Sequence, residues 1–372
     1  MIKKRTLSIL LAITIALLFS GAPSAIAKEV LHVYNWSDYM DEGPKGPVSV
    51  FEKNTGIDVT YDVFDSNEVL EAKLLSGKTG YDVVFPSNNF IGRQIEAGVF
   101  RAIDRSKLSN YKHLDKGIMK VLESVDPGNK FSIPYMWGTT GIGYNVKKVQ
   151  AAFGGKAPVN SWDLIFKPEY AAKVKDIGLV LLDDPSEILS AALHYLGLDP
   201  NSMKEKDYTE KALPLLKSIR PYIKYFHSSQ YINDLANGDI GVVVGWSGDI
   251  LQARDRADEA GAGVEVAYSI PKEGAATWFD MIAIPSDADN VDKAHKFLDF
   301  LMDPEVIAGI TNYVSYPNGN ADAMPFIDEE IRNDKAIYPS AETMQGLYTM
   351  RVMPPKVSRI RNRVWTKVKT GR

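Results

Sequence analysis

The sequence predicts an α/β protein of two domains, built on mainly parallel sheets. Short apolar runs alternate with helical patterns along the chain, an order typical of parallel sheets covered by helices. Removal of an N-terminal leader of 27 residues leaves 345 of the 372 residues. A single hydrophobic core seldom serves more than roughly 250–300 residues, so two domains are expected.

The N-terminus has the layout of a secretory signal peptide. A basic stretch at 3–5 precedes an apolar run at 7–19, and Ala25-Ile26-Ala27 is a small-x-small cleavage site. The run is shorter than the roughly 20 residues that span a bilayer. We expect residues 1–27 to be removed during export, and an uncleaved anchor is the alternative.

Composition excludes several classes of function. The chain has no Cys, which excludes disulfides, thiolate metal sites and a cysteine nucleophile. The formal net charge of −4 becomes −7 without the three basic residues of the leader, and an acidic protein is a poor partner for nucleic acid. No apolar run of about 18 residues follows the leader, so no membrane span is expected.

Strand and helix patterns alternate in the first third of the chain. An apolar run at 30–34 is a strand candidate. Asp65 followed by Glu68 is an N-cap pattern, and the helical stripe at 69–75 ends at Gly77. A short strand at 81–85 and a helix at 90–97 follow.

The second half of the chain repeats the alternation. A Val-rich strand is predicted at 240–245, with a helix from about Asp249. Ala294, Phe297, Leu298 and Leu301 are spaced i, i+3, i+4 and i+7, which predicts one buried helix face.

Three segments that directly follow apolar strands are rich in polar and aromatic residues. They are 35–39 (Asn-Trp-Ser-Asp-Tyr), 86–89 (Pro-Ser-Asn-Asn) and 245–249 (Gly-Trp-Ser-Gly-Asp). Ligands of open α/β sheets bind beyond the carboxyl ends of the strands. The sequence therefore predicts a binding site where these segments meet.

Motifs for catalysis and for metal or cofactor binding were not found. The five His residues are scattered without metal-ligand spacing, and there is no HExxH, Walker A loop or GxGxxG after a strand. The glycines at 138–143 fit a close-packed crossing or hinge between domains better than a phosphate loop. We expect a binding protein without metal or cofactor, and an exported hydrolase that uses paired carboxylates is the alternative from another class.

An aromatic residue recurs beside a carboxylate, as in Trp36 with Asp38, Trp246 with Asp249, and Trp278 with Asp280. A linear diamine requires this combination, because its ammonium ends need carboxylates and its methylene chain needs apolar walls. Aromatic faces also attract cations by roughly 0.5–2 kcal/mol per contact. Core aromatics beside N-capping aspartates are the competing interpretation, and the residue pattern leaves both open.

Five long segments carry a resemblance to a known family, and the resemblance runs from about Leu31 to the C-terminus. The segments are 31–39, 61–68, 133–145, 225–239 and 269–274. They are similar to the periplasmic putrescine- and spermidine-binding proteins of ABC transporters. The resemblance implies a two-lobed type II periplasmic-binding-protein fold with a ligand cleft between the lobes. On this basis residues 28–136 plus 265–315 are assigned to lobe 1, and 137–264 plus 316–372 to lobe 2.

The resemblance also implies a function and a set of site residues. The chain would capture a polyamine in the periplasm, with putrescine preferred and spermidine as a second ligand, and would deliver it as a monomer to a membrane permease. A binding protein or sensor for another organic cation or for an amino acid is the alternative. The implied ligand-binding residues are Trp36, Ser37, Asp38, Tyr39, Ser87, Glu187, Trp246, Asp249, Trp278, Asp280 and Tyr316.

Three features depart from the family pattern or stand apart from the site. Asp184 adds a second acid beside Asp183, which would suit an additional amine if it faces the cleft. The segment 40–48 is longer than usual for the family. The C-terminal segment 356–372 has seven basic residues and no acid; we expect a solvated basic helix face there, and contact with a partner or anionic lipid is the alternative.

Overall fold

A computed structural model describes residues 29–371, so the predicted signal peptide lies outside the described residues. The strands of this part of the chain are β1 (Val30–Trp36), β2 (Asp58–Phe64), β3 (Val83–Val84), β4 (Ser132–Asn145), β5 (Leu179–Leu181), β6 (Ile223–Phe226), β7 (Val242–Trp246), β8 (Val266–Ser269), β9 (Ala276–Ala283) and β10 (Tyr348–Thr349).

Helices cover the sheets and connect successive strands. The α-helices of the described residues are α1 (Pro47–Thr55), α2 (Asn67–Ser76), α3 (Asn88–Glu96), α4 (Lys116–Leu122), α5 (Val146–Phe153), α6 (Asp163–Phe166), α7 (Pro168–Val174), α8 (Pro185–Tyr195), α9 (Leu213–Ile219), α10 (Tyr231–Ala236), α11 (Ser247–Ala260), α12 (Val291–Leu301), α13 (Pro304–Val314), α14 (Glu329–Asn333), α15 (Ala341–Gln345) and α16 (Pro355–Thr370).

The long strand β4 connects two sheets. Its first half pairs antiparallel with β9, and its second half, from Thr140, pairs antiparallel with β7 and β8. Strands β1, β2 and β3 are mutually parallel on one side, and β5 is parallel to β6 and β7 on the other. Both sheets are therefore mixed, because β4 and β9 add antiparallel pairs to the parallel arrangement that the alternation predicted.

The glycines of β4 lie at the crossing between the sheets, as the sequence predicted. A Cβ on Gly138 would come within 2.8 Å of the Trp278 ring, and one on Gly143 within 2.7 Å of Ile250. Side chains at these positions would separate the packed layers. The crossing strand is thus close-packed because glycine leaves room for its neighbours.

Two hydrophobic cores correspond to two lobes. The first contains buried residues from 31–136 and 276–350, together with Leu251. The second contains buried residues from 142–275 and 353–368. The sequence division gave 316–350 to lobe 2, whereas Tyr316, Ile327 and Met350 pack in the first core. We propose that the last crossing between the lobes lies at 351–352.

Local predictions hold with small shifts at element ends. All four residues of the predicted stripe at 294–301 are buried on α12, as expected. The N-cap of α2 is Ser66 and not Asp65, because the Ser66 side chain accepts from the Val69 amide. In residues 29–371 no helix combines the length and the apolarity needed to cross a membrane.

Candidate ligand-binding site

A cavity lies between the two lobes. All predicted site residues except Asp38 line it, so the three strand-exit segments meet as expected. The lining consists of Trp36, Ser37, Tyr39, Asn67, Ser87, Asn89, Asp184, Glu187, Ser228, Trp246, Asp249, Trp278, Asp280, Tyr316 and Met350.

Lobe 1 contributes one buried carboxylate to the cavity, that of Asp280 on β9. Tyr39 OH donates to its Oδ2 at 2.8 Å, and Ser87 Oγ donates to its Oδ1. Asn67 holds Ser87 in turn, since Asn67 Nδ2 donates to Ser87 Oγ at 2.9 Å. Burial raises the pKa of Asp280 to about 7, although both hydroxyl donors favour the ionised form.

Lobe 2 contributes a second buried carboxylate, that of Asp249 in the first turn of α11. The hydroxyls of Tyr231 and Tyr316 each donate to it at 2.7 Å, one to each oxygen. Burial raises the pKa of Asp249 to about 7 against these two donors. A Cβ on Gly248 would lie 2.4 Å from the Tyr316 ring, so this glycine admits the tyrosine that holds Asp249.

Lobe 2 also contributes Glu187 and Asp184, at the start of α8. Glu187 Oε1 accepts from Trp246 Nε1 at 3.4 Å, whereas no described residue donates to its buried Oε2. Burial, and then the charge of Asp184, raise the pKa of Glu187 to about 8. Asp184 caps the helix, because its Oδ1 accepts from the amides of Ser186 and Glu187 at 2.6 and 3.0 Å.

Aromatic rings from both lobes form the apolar walls. Trp36 of lobe 1 meets Trp246 of lobe 2 edge-on, with ring centroids 5.6 Å apart. Tyr316 lies edge-on to Tyr39 at 5.1 Å and to Trp278 at 5.4 Å. The indole nitrogens of Trp36 and Trp278 donate away from the cavity, to Phe85 O and Thr140 Oγ1. Trp36 and Trp278 thus contribute ring surface to the cleft, whereas the indole N–H of Trp246 donates to the cavity carboxylate of Glu187.

Asp38 is the one predicted site residue that does not line the cavity, and its role in holding a ligand ammonium stays a prediction. Its backbone has a left-handed conformation, φ 54°. Its carboxylate accepts from Arg256 Nη2 at 2.7 Å, and its side chain is 35% exposed. Arg256 belongs to α11 of lobe 2, so this ion pair joins the lobes beside the cleft. Sequence spacing could not separate Asp38 from Tyr39, since the turn between them decides which side chain points inward.

Sequence reasoning missed several lining residues. Asn67, Asn89, Ser228 and Met350 have side chains too common in loops to suggest a site. Asn89 Oδ1 and Ser228 Oγ are buried and have no partner among the described residues. The segment 86–89 was singled out for its polar content, and that signal extended to Asn89.

The chemistry of the lining favours a cationic ligand. Four carboxyl groups line the cavity, and its lining includes no Arg, Lys or His. Buried carboxylates without cationic partners are costly, and the raised pKa values of Glu187, Asp249 and Asp280 express that cost. A ligand with positive charges would relieve it. No group of acidic, His or Cys side chains suited to a metal ion occurs within residues 29–371.

The model of the family described as bacterial extracellular solute-binding protein matches residues 48–339. The chain belongs to this family. It is 56% identical over 369 residues to the putrescine-binding periplasmic protein SpuD of Pseudomonas aeruginosa (strain UCBPP-PA14), which covers 99% of this chain and 100% of that protein. It is 54% identical over 348 residues to the putrescine-binding periplasmic protein PotF of Escherichia coli (strain K12), covering 94% of this chain and 93% of that one.

A solved structure agrees with this assignment. The putative spermidine/putrescine ABC transporter from Listeria monocytogenes matches with a TM-score of 0.81 and 33% identity, covering 92% of this chain and 100% of that chain. The predicted relationship to periplasmic polyamine-binding proteins, the type II fold and the assignment as a solute-binding protein are thereby confirmed. The individual roles of the site residues stay predictions.

Proposed function

We propose that the protein captures a linear polyamine outside the cytoplasm, with putrescine preferred, and delivers it as a monomer to the permease of an ABC importer. The observation that carries the proposal is the cavity itself, which is lined by buried carboxylates from both lobes together with aromatic rings. A relative named as putrescine-binding at 56% identity supports the same ligand class.

The two ammonium groups of a diamine would be bound by the carboxylates of the two lobes. Asp280 on lobe 1 would receive one ammonium, and Asp249 with Glu187 on lobe 2 the other. The methylene chain would lie against Trp36, Trp246 and the other rings. Each contact between an ammonium group and a ring face would add roughly 0.5–2 kcal/mol to the binding free energy. Because one ligand engages both lobes, binding would favour the closed arrangement by differential affinity.

An amino acid fits this cavity poorly. Its carboxylate would need a cationic partner such as Arg, and the cavity lining offers none. Calorimetry with putrescine, spermidine, lysine and glutamate tests the proposal. We expect saturable binding of the two polyamines and much weaker binding of the two amino acids. No heat of binding for either polyamine at millimolar concentration would refute the proposed function.

The choice between a diamine and a triamine centres on Asp184. One of its oxygens caps α8, and the side chain also lines the cavity, where it would meet a third ammonium. Asp184→Asn keeps the cap and removes the charge. If a triamine uses this carboxylate, the variant weakens spermidine binding more than putrescine binding.

The neighbouring Asp183 gives a matched control for that experiment. Its carboxylate accepts from Trp365 and Lys369 and does not line the cavity. Asp183→Asn removes the same charge one residue away, so it should leave the ratio of the two affinities unchanged. Equal losses of both ligands in Asp184→Asn would show that the third amine does not reach it.

A further inference from the structure

The C-terminal helix α16 has a buried face that fixes it to lobe 2. Val357, Ile360, Val364 and Val368, the stripe seen in the sequence, are buried in the second core. Trp365 lies beside them and is 4% exposed. This face confirms the expected helical stripe and leaves the opposite face toward solvent.

Polar contacts on the buried face attach α16 to α8, the helix that begins at the ligand cavity. Arg361 Nη2 donates to Ser186 O at 2.7 Å and to Ser190 Oγ at 3.1 Å. Trp365 Nε1 donates to Asp183 Oδ1 at 2.7 Å. These contacts and the buried apolar face make α16 part of lobe 2.

The outer face carries a line of unpaired cations. Arg359, Arg363 and Lys367 are exposed and spaced by four residues, so they form one row about 12 Å long on the helix. Lys356 extends the row at its start. None of the four forms an ion pair or a side-chain hydrogen bond within residues 29–371, and α16 contains no acidic residue. We call these four residues the basic ridge.

The basic ridge contrasts with the charge of the protein as a whole, which is acidic. Each of its cations is repelled by the next one in the row, and no carboxylate within residues 29–371 lies at ion-pair distance from them. Such a row attracts an extended anionic surface.

The composition of the outer face argues against a protein partner. From residue 359 onward its exposed side chains are Arg359, Asn362, Arg363, Thr366, Lys367 and Thr370. Protein interfaces derive most of their energy from buried aromatic and aliphatic anchors at their centre, and this face offers none. Binding to a layer of mobile anionic lipid headgroups requires only positive charge on long side chains, which Arg and Lys provide.

We propose that the basic ridge docks lobe 2 on an anionic lipid surface. An extracellular solute-binding protein must meet a membrane-embedded partner, and weak attachment to the bilayer reduces that search to two dimensions. The inference rests on family membership and on α16, not on the identity of the ligand. Each Arg or Lys near such a surface contributes about fivefold in affinity, so three of them contribute about a hundredfold.

Co-sedimentation with vesicles tests the proposal. The chain beginning at Lys28 is mixed with vesicles of phosphatidylglycerol and phosphatidylcholine, or of phosphatidylcholine alone, because the basic leader could itself bind lipid. We expect binding to the anionic vesicles at low salt, and loss of that binding near 0.5 M NaCl because the Debye length shortens. Equal binding to both kinds of vesicle would overturn the proposal, since charge would not be its cause.

The triple variant R359Q/R363Q/K367Q should lower affinity for the anionic vesicles about a hundredfold and leave polyamine binding unchanged. The matched control is K112Q/K116Q/K120Q, which removes three exposed charges from lobe 1 and should retain vesicle binding. Equal losses of vesicle affinity in both variants would show that net charge alone causes the binding, and would overturn the assignment to α16. Tighter binding of duplex DNA than of vesicles would equally overturn a lipid as the partner.

Discussion

Replacing Asp249 with Asn should lower polyamine affinity while making the ligand-free protein more stable. The change is nearly isosteric, and the two tyrosine hydroxyls that donate to the carboxylate at 2.7 Å stay in place. Truncating one partner of a buried, hydrogen-bonded charge pair costs about 2–5 kcal/mol. We therefore expect the dissociation constant to rise by at least about thirtyfold.

The gain in stability follows from the pKa. The folded-state pKa of Asp249, about 7, lies above the ordinary value of 3.8. Between these values the folded protein binds more protons than the unfolded chain, so the free energy of unfolding falls as pH rises through this window. Above pH 7 the ionised carboxylate therefore destabilises the arrangement in which it is buried without a cation, and Asn removes that cost.

Thermal melting at pH 8 with and without putrescine measures both effects at once. The variant should melt at a higher temperature than the parent without ligand, and its ligand-induced shift should be smaller. Asp258→Asn is the control, because Asp258 is exposed on the same helix and should change neither quantity. An Asp249→Asn protein with the parent's affinity would refute the placement of an ammonium at this carboxylate.

Three other predictions follow from the same contacts. Polyamine affinity should fall between pH 8 and pH 6, by about tenfold for each of the two buried aspartates with a pKa of about 7. Calorimetry at constant ionic strength measures this change, and an unchanged affinity would contradict the prediction. Gly248→Ala should abolish tight binding, because its Cβ would displace the Tyr316 ring; a crystal structure with ring and affinity unaltered would contradict this. Arg256→Met should weaken binding by no more than about fivefold, since both side chains of its pair with Asp38 are about a third exposed, and the loss should vanish at high salt.

Much of the architecture could be read from the chain because it depends on local patterns. The stripe on α12 and the apolar runs of β1 and β7 follow from periodicity, which burial on one face enforces. The polar segments after these strands indicated the site, since strand ends in an α/β sheet meet at one edge. Glu187 and Tyr316, by contrast, came only from the family resemblance.

The sequence by itself determined several strands and helices, the ligand-facing segments and the recurrence of aromatic residues beside carboxylates, because these are carried by residues close together in the chain. Only the tertiary structure decided that Asp38 pairs with Arg256, that Tyr316, Ile327 and Met350 pack in the first core, and that Asn89 and Ser228 reach the cavity. Each of these depends on contacts between residues far apart in sequence, or on one backbone turn. The free energy of such contacts depends on the folded arrangement and cannot be predicted from a local pattern of residue types.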